Sequence, residues 1–509
     1  MFSRFCVSAF DSRLFSFSGP VHRTTFQARP LSSSAMDTIM ANRQHLSTLP
    51  YTHCHTRIVS LAELQIPEHA SDDEYRRIYR TYTQQRSTSN ARLLRDAIES
   101  IKYGISPPVA FPTETVYGLG SDATNEPAIS GIFAAKGRPS DNPLIVHVSS
   151  VAHLERLTGE PLPEIYRPVA QKFWPGPLTI LLPVPPNSVF AKNVHPAQST
   201  IGFRIPSSKY ARFFIAAIDR PIAGPSANSS GKPSPTTAQH VLDDLRGKIN
   251  FILDGGPCDV GVESTVVDGL HDPPLILRPG GVSQSELIAH GREHGNAFAD
   301  TAIGYKRHEV SSGAASPASG SGLNVSFIED VNGAPRAPGM KYRHYAPNGR
   351  LILFSQEAVS AGKVQSKLAE IIESASPDLG EGVKVGTISC HWPAFAGLPV
   401  SPVEDKSVPS ALAESAYEPI VSIGSYSEGS ITLYNVQVGP KIADLGHSLF
   451  GVLRLFDELG CSFIFAETVR RSDALASSTA TPGSQQSQVR DLEDAVIDRI
   501  EKAAAERVD

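Results

Sequence analysis

The chain has 509 residues, of which 40% are hydrophobic and 19% charged, and its formal net charge is −6. This length predicts two or three domains with at least one large core, and the composition is that of a globular protein with some disordered length. The negative charge argues against a globally basic nucleic-acid binder, and the five scattered cysteines argue against a disulfide framework. No apolar run approaches the ~20 residues that a helix needs to span a bilayer, which argues against a membrane protein.

The first 35 residues have the composition of a mitochondrial transit peptide. Arginines alternate there with Phe, Leu and many Ser, and Asp11 is the one acidic residue. A shorter product that starts at Met36 or Met40 would stay in the cytosol, so we expect a cytoplasmic protein with a mitochondrial form. Residues 36–85 are polar and lack sustained periodicity, which predicts a disordered or loosely ordered segment.

Residues 86–290 alternate helix and strand signals and predict a mixed α/β domain. Apolar positions from Asn90 to Ile101 share one helical face, and Asn125 with a following proline opens a second helix that ends at Gly137. Strands are predicted at Val109–Phe111, Leu144–Val148, Leu178–Val184, Ile201–Ile205, Pro221–Ala223, Phe251–Leu253, Ser264–Val267 and Leu275–Leu277.

Residues 291–349 lose this pattern and predict a flexible linker, with a Ser/Gly/Ala-rich run at residues 311–322. Its segment Lys341–Tyr345 is too basic and aromatic to be a mere spacer. Residues 350–509 resume the alternation and predict a second, smaller Rossmann-like α/β domain. Its predicted strands are Leu351–Phe354, Val383–Ser389, Ile420–Ile423, Ile431–Val438 and Phe463–Ala466, with helices to about Ser374 and over Ile442–Leu459 and Gln488–Ala505.

Two neighbouring segments of the first domain carry the strongest chemical signal. Pro112–Gly120 is a hydroxyl-rich turn after an apolar strand, and Lys136–His147 places two cations and an amide before the next strand. Hydroxyls and cations at adjacent strand ends suit a phosphate chain beside a small polar substrate. Gly224–Pro233 resembles a phosphate loop, but its spacing is two residues too long and Pro233 replaces the magnesium-binding hydroxyl.

Several single residues allow two interpretations. Arg138 and Arg278 each adjoin a rigid Gly/Pro turn, which favours a fixed phosphate contact over a solvated surface position. Arg204, on a strand beside a glycine, suits carboxylate capture or is an exposed strand arginine. Ser234 is a helix N-cap or a ligand contact, and His147 is a core histidine or a ligand.

Together these motifs resemble the YrdC-like domain of L-threonylcarbamoyladenylate synthases, and the second domain resembles the two-domain branch of that family. Such a fold is a twisted mixed sheet with helices and a central cavity, followed by the smaller Rossmann-like domain. The polar insertion Arg470–Ser487 departs from the family pattern. The resemblance runs through Pro112–Gly120, Lys136–Val148, Phe173–Thr179, Ser199–Pro206, Pro225–Thr236, Asp254–Asp268, Leu277–Gly281 and Tyr342–Pro347.

The family condenses L-threonine, bicarbonate and ATP into threonylcarbamoyl-AMP and pyrophosphate, for threonylcarbamoyl-adenosine modification of tRNA. The resemblance implies that threonine contacts Thr115, His147, Arg204, Gly224 and Ser264. It implies that ATP contacts Lys136, Arg138, Asn142, Thr200, Ser226, Ser234, Arg278 and Tyr345.

Within that set, the cations Lys136, Arg138 and Arg278 would stabilise the transition state of phosphoryl transfer. Arg343, His344 and Tyr345 match a segment that covers the cavity mouth. The sequence offers no clustered carboxylates for a dedicated metal site, so Mg²⁺ is expected to arrive with ATP. A threonylcarbamoyl transferase complex would take the product, and direct contact with tRNA is open.

Two other classes of function are kept beside this one. A concave basic surface on such a fold can bind double-stranded RNA or tRNA, although overall acidity and the lack of aromatic residues interleaved with basic ones count against it. Related domains also occur in hydrogenase-maturation carbamoyl transferases, whose additional acylphosphatase and zinc-finger segments are absent from this sequence.

Overall fold

The computed structural model describes residues 54–85, 88–104, 107–305, 344–374, 382–403, 420–426, 431–439, 442–468 and 485–509. The expected transit peptide, the run at residues 311–322, Lys341–Arg343 and most of the insertion Arg470–Ser487 lie outside these ranges. No helix within them has an apolar stretch long enough to span a bilayer. The cysteines within them, Cys54, Cys258, Cys390 and Cys461, are free thiols.

Among the described residues, eleven strands form one mixed sheet in the N-terminal half, in the order β1-β8-β2-β3-β7-β4-β6-β5-β9-β10-β11. Strands β4 and β6 run parallel, and their register makes His147 and Arg204 direct neighbours. The strands are β1 Arg57–Ser60, β2 Val109–Phe111, β3 Gly118–Asp122, β4 Val146–His147, β5 Leu178–Pro183, β6 Thr200–Arg204, β7 Ile222–Ala223, β8 Phe251–Asp254, β9 Thr265–Asp268, β10 Leu275–Arg278 and β11 Ala302–Ile303.

Helices cover this sheet, and the predicted caps of one of them are confirmed. Asn125 precedes helix α3 and its side-chain oxygen accepts a hydrogen bond from the Ala128 amide at 3.1 Å, while Gly137 ends the helix with φ 61°. The helices are α1 Asp72–Gln85, α2 Ser89–Lys102, α3 Glu126–Lys136, α4 Val151–Thr158, α5 Arg167–Phe173, α6 Lys209–Ile218, α7 Ala238–Leu245 and α8 Gln284–His294.

The expectation of disorder for residues 36–85 is wrong for residues 54–85. Strand β1 pairs in parallel with β8, and helix α1 packs against α6. Val59, Tyr75 and Tyr82 are buried in the same core cluster as α6. Both elements are stabilised by partners more than 100 residues away, so their own short and mostly polar sequences carry little signal.

Strand β3 was also missed, because it lies inside the segment predicted as a turn. Only Thr113–Tyr117 form that turn, and Gly118–Asp122 then pair antiparallel with β2. A Cβ at Gly118 would lie 2.7 Å from the Phe111 ring, and one at Gly120 would lie 2.9 Å from Ile222. Glycine weakens the strand signal, and it is needed here because other side chains pack directly on the backbone.

The C-terminal half is the predicted Rossmann-like domain. Within its described ranges, seven strands are ordered β14-β15-β16-β13-β17-β12-β18, parallel from β16 to β18 with an antiparallel edge at β14–β16. Gly362, at φ 71°, divides the helix predicted to end at Ser374 into two. The elements are β12 Arg350–Phe354, α9 Gln356–Ser360, α10 Lys363–Ser374, β13 Val383–Ser389, β14 Ser401–Pro402, β15 Ile420–Tyr426, β16 Ile431–Gln437, α11 Ile442–Glu458, β17 Phe463–Glu467, α12 Gln485–Ala503 and β18 Glu506–Val508.

Two helices of the C-terminal half contact the N-terminal half through buried side chains. Arg454 on α11 donates to Asp244 at 2.9 Å, and Arg499 on α12 donates to Glu263 at 3.0 Å. Between these contacts Gly261, with φ 76°, approaches the α11 backbone so closely that a Cβ would lie 2.9 Å from the His447 Cα atom. The fold class predicted from the sequence is confirmed.

Candidate active site

A cavity opens beside the ends of β4, β6 and β9. It brings together the predicted site residues except Asn142 and Thr200. Those that line it are Thr115, Lys136, Arg138, His147, Arg204, Gly224, Ser226, Ser234, Ser264, Arg278 and Tyr345.

Arg204 is fixed in the wall of this cavity by three acceptors. Its guanidinium donates to Glu114 Oε1 at 2.5 Å, to Thr115 Oγ1 at 2.8 Å and to the Gly176 carbonyl at 3.2 Å. Its side chain is 4% exposed, so the interpretation as an exposed strand arginine is wrong. The buried carboxylate partner Glu114 was not among the predicted site residues, although it adjoins Thr115.

His147 lies beside Arg204 on the neighbouring strand and is a neutral imidazole. Burial, followed by the charge of Arg204, lowers the pKa of His147 to about 3. Its Nδ1 has no hydrogen-bond partner among the described atoms. A Cβ at Gly224 would lie 3.0 Å from this nitrogen, so the glycine allows its backbone to pack directly against the imidazole.

Arg278 and Ser264 form the adjacent wall. The Arg278 Nε and Nη2 atoms donate to the Ser264 carbonyl at 3.1 and 3.0 Å, and Nη2 also reaches Ser264 Oγ at 3.2 Å. The Ser264 hydroxyl lies 2.8 Å from Thr179 Oγ1. These bonds orient a cation and a hydroxyl together at the cavity surface.

Lys136 faces the loop Pro225–Pro233. Its ammonium group donates to the Ser226 carbonyl and, at 2.7 Å, to the Asn228 carbonyl. Burial lowers the pKa of Lys136 well below its ordinary value, and nearby Arg138 lowers it further. Lys136 therefore holds this loop in place, whereas Arg138 extends along the rim and donates to the Pro143 carbonyl at 3.4 Å.

Ser234 is tied to the C-terminal half through Glu263. Its hydroxyl donates to Glu263 Oε1 at 2.6 Å, and Oε2 accepts from Arg499 at 3.0 Å. Burial alone would raise the pKa of Glu263, but Arg499, then Arg278 and the serine hydroxyl, lower it. The interpretation of Ser234 as a helix cap is wrong, because Thr237 caps α7.

The end of the linker closes one side of the cavity. Tyr345 is buried with a positive φ of 67°, its ring centroid 5.2 Å from that of Phe450, and the Arg499 guanidinium lies 5.9 Å from its ring. The next amide, of Ala346, donates to the Gly231 carbonyl at 2.8 Å. His344 also lines the cavity, and burial lowers the pKa of its imidazole to about 4.

Asn142 and Thr200 lie next to the cavity without lining it. Thr200 lines a small adjoining pocket that shares Pro143, Leu144 and Ile145 with the larger cavity. Asn142 is buried, and its side-chain oxygen has no hydrogen-bond partner among the described atoms. Both residues therefore neighbour the site from one side.

The fold and this cavity define a two-domain α/β protein whose first domain contains a cavity lined by buried arginines and hydroxyls. Residues 107–280 match the family Sua5/YciO/YrdC, described as telomere recombination, and residues 314–505 match the threonylcarbamoyl-AMP synthase C-terminal domain. The chain belongs to the threonylcarbamoyl-AMP synthase family, a family of transferases.

Curated relatives carry the same family name. The threonylcarbamoyl-AMP synthase of Pyrococcus abyssi is 36% identical over 71% of this chain and 85% of its own length. That of Schizosaccharomyces pombe is 46% identical over 48% of this chain, and the match spans 60% of the relative. A crystal structure of P. abyssi Sua5 complexed with L-threonine superposes with a TM-score of 0.58 at 31% identity, over 89% of this chain and 100% of that one.

Proposed function

We propose that this chain is an L-threonylcarbamoyladenylate synthase, which condenses L-threonine, bicarbonate and ATP into threonylcarbamoyl-AMP and pyrophosphate. The observation that carries the proposal is the convergence of Thr115, Arg138, Arg204 and Arg278 on one cavity from four separate parts of the sequence. Family membership and the threonine-bound P. abyssi structure support it.

Threonine would occupy the corner between Thr115, His147, Arg204, Gly224 and Ser264. The pre-oriented guanidinium of Arg204 suits the substrate carboxylate. His147 is too weak a base to take up a proton at neutral pH, so a neutral imidazole would face the amine or hydroxyl of threonine.

ATP would occupy the side of the cavity with Arg138, Arg278, Ser226, Ser234 and Tyr345. Thr200 would contact it from the adjoining pocket, and Asn142 from its position next to Pro143, which lines both cavities. Arg138 and Arg278 are the cations that would neutralise the phosphate charge. Because Lys136 is held by two loop carbonyls, we propose that its contribution to catalysis is to position the loop beneath the phosphates.

The chemistry joins three substrates in sequence. The threonine amine attacks the bicarbonate carbon, and loss of water gives a carbamate. A carbamate oxygen then attacks the α-phosphorus of ATP, and pyrophosphate leaves. No nucleophilic side chain is required, so the protein contributes orientation, charge stabilisation and exclusion of water from a short-lived intermediate.

We propose that Mg²⁺ enters with ATP. Glu263 is the carboxylate among the cavity-lining residues, and both of its oxygens already accept bonds, from Ser234 and Arg499. This donor set fits an ion held mainly by phosphate oxygens and water, in the manner usual for Mg²⁺ with nucleotides. The ion would supply charge neutralisation on the phosphates.

We further propose that the linker segment ending at His344 and Tyr345 is a lid for this site. The burial of Tyr345 at the cavity wall, and the hydrogen bond from the Ala346 amide to the Gly231 carbonyl, support that role. Deleting residues 341–345 should lower the yield of the AMP product while the thermal unfolding of the protein remains cooperative. Full activity of the deletion variant would exclude a lid.

An assay with each substrate omitted in turn tests the proposed reaction. We expect pyrophosphate and threonylcarbamoyl-AMP only when threonine, bicarbonate and ATP are all present. Pyrophosphate release without threonine or bicarbonate would overturn the proposal. Binding of double-stranded RNA or tRNA in a gel-shift experiment, without any such release, would instead favour the RNA-binding alternative.

We propose that a threonylcarbamoyl transferase acts on the product, since a mixed carbamic–phosphoric anhydride is a reactive donor that transfers its carbamoyl group to an adenosine of tRNA. We also propose that residues 1–35 direct a fraction of the protein to mitochondria, with the rest in the cytoplasm. Fusions with and without these residues, imaged in cells, test this; identical distributions would refute it.

A further inference from the structure

The C-terminal turn of α8 presents three metal-ligating side chains outside the cavity. His290, Glu293 and His294 lie at positions i, i+3 and i+4, which places them on one helical face. One ligand atom from each can be chosen so that all three lie within 4.8 Å of one another, and the two imidazole centroids are 4.1 Å apart. Histidines at i and i+4 of one helix are a spacing that zinc proteins use.

The buried histidine of this group is already held in a tautomer suited to metal binding. His290 is 5% exposed, and its Nε2 lies 2.9 Å from the Pro168 carbonyl, to which it donates. The lone pair therefore resides on Nδ1, which has no hydrogen-bond partner among the described atoms and lies 3.9 Å from Glu293 Oε2. A ring N–H bonded to a backbone carbonyl is the usual outer contact of a metal-bound histidine.

The two exposed members complete the arrangement. His294 Nδ1 lies 3.0 Å from the His290 carbonyl, so that nitrogen donates and Nε2 keeps its lone pair. Glu293 is 71% exposed, and its carboxylate can rotate toward the imidazoles. The partial negative charge at the end of the helix favours a cation there.

We propose that His290, Glu293 and His294 form a site for a divalent transition-metal ion of the Zn²⁺ type, with water in the remaining position. Two imidazoles and one carboxylate match Zn²⁺, Ni²⁺ or Cu²⁺ and disfavour Mg²⁺ and Ca²⁺. Small rotations of the two exposed side chains bring the three ligand atoms to the ~2.0–2.2 Å required by zinc. The ion fastens the last turn of α8 to α5 through His290 and Pro168, and α8 in turn packs against α12.

Titration of the chelator-treated full-length protein with Zn²⁺, followed by calorimetry and thermal melting, tests this site independently of catalysis. We expect one ion per chain and a rise in Tm. The surface variants His294→Ala and Glu293→Gln should each weaken binding by about tenfold or more and abolish the Tm rise.

The matched control is His55→Ala, which removes an exposed histidine far along the sequence from α8 and should leave Zn²⁺ binding unchanged. Absorption of Co²⁺ in the visible range should appear in the control and disappear in His294→Ala. The proposal is overturned if Zn²⁺ does not bind stoichiometrically, or if binding survives both α8 variants and is lost in His55→Ala.

Discussion

The two halves of this protein contain similar layers of helix and sheet but use their buried polar groups differently. In the N-terminal half, buried arginines, hydroxyls and a neutral histidine line one cavity. In the C-terminal half, buried polar groups bond to one another outside the cavity: Asn435 Oδ1 accepts from Thr387 and Ser389 at 2.8 Å each, and Glu467 accepts from the His391 amide at 2.6 Å.

The C-terminal half contacts the N-terminal half through buried side chains. Two of them, Arg454 and Arg499, are each paired with a carboxylate of the N-terminal half. Asp244, the partner of Arg454, lies outside the cavity lining, whereas Glu263, the partner of Arg499, belongs to it. Both arginines therefore hold the halves together. Arg454 also donates to the Pro233 carbonyl at the end of the loop beside the cavity, and Arg499 orients the lining residue Glu263.

The largest effect is expected for Arg204→Ala, within the N-terminal half. The substitution leaves the Glu114 carboxylate buried and unpaired, which should lower the free energy of unfolding by about 3–5 kcal/mol. It should also raise the apparent threonine KM about tenfold or more, through loss of a charge-assisted contact.

The matched control is Arg167→Ala, which breaks an exposed arginine–glutamate pair and should cost at most about 1 kcal/mol. Denaturant unfolding and threonine-dependent pyrophosphate release measure the two effects. Unchanged threonine kinetics in a folded Arg204→Ala protein would refute the assigned role.

The variant Arg499→Met tests most directly whether the C-terminal half orients the site in the N-terminal half. Losing the partner of a buried carboxylate should again cost about 3–5 kcal/mol of unfolding free energy. Because Glu263 holds Ser234 and the guanidinium lies over Tyr345, kcat/KM for ATP should fall about tenfold as well.

Two further variants separate stability from positioning. Adding Glu263→Gln removes the unpaired charge, so the double variant should regain most of the stability but not the activity. Arg454→Met should lose comparable stability with a much smaller change in kcat/KM. Full activity in the double variant would reduce Arg499 to a structural brace.

A smaller effect is expected for Gly224→Ala. The added methyl would lie 3.0 Å from His147 Nδ1 and 3.1 Å from the Phe111 ring, an overpacking that costs about 1–3 kcal/mol. It should raise the threonine KM more than the ATP KM. The control is Gly159→Ala, at a position with open space around it, which should change stability without changing either KM. A rise in the ATP KM alone in Gly224→Ala would contradict the assignment.

The smallest effect concerns pH. Burial lowers the pKa of His240, beside the Arg454 contact, to about 3, whereas an unfolded histidine titrates near about 6.5. Below about pH 6.5 the unfolded chain therefore binds a proton that the folded chain does not. The contribution of His240 to the free energy of unfolding is complete above that pH and is lost as the pH falls toward 3.

In the His240→Gln variant, the free energy of unfolding should change by up to about 1.4 kcal/mol less per pH unit than in the wild type. Denaturant titrations between neutral and acidic pH measure the slope. Exposed His69→Gln is the control and should leave it unchanged, and an equal slope in wild type and His240→Gln would contradict the assignment.

Local sequence signals predicted much of the fold and the site. The Asn125 and Gly137 caps fix α3, and the apolar runs of β5 and β10 mark buried strands. Arg138 and Arg278 were recognised because each adjoins a Gly/Pro turn that holds it rigidly. In each case the deciding interactions lie within a few residues of the signal.

Long-range contacts account for what the sequence did not reveal. The Glu263–Arg499 pair joins residues 236 positions apart, and β1 gains its order from β8 almost 200 residues later. The sequence pattern around an arginine in a helix of mixed polarity predicts a solvent-exposed side chain. Only the packing of that helix against another domain shows that the side chain is buried. Such residues acquire their role only from tertiary packing.

The close approach of Gly261 to α11 limits which residues this position accepts. Where main chain touches main chain, no pair of compensating side chains can absorb a change, so any larger residue at this position acts as a wedge. The wedge would act two residues from Glu263 and would swing its carboxylate away from Arg499. A single methyl group at this seam would thus weaken the link between Arg499 and the site, while every residue of the cavity keeps its identity.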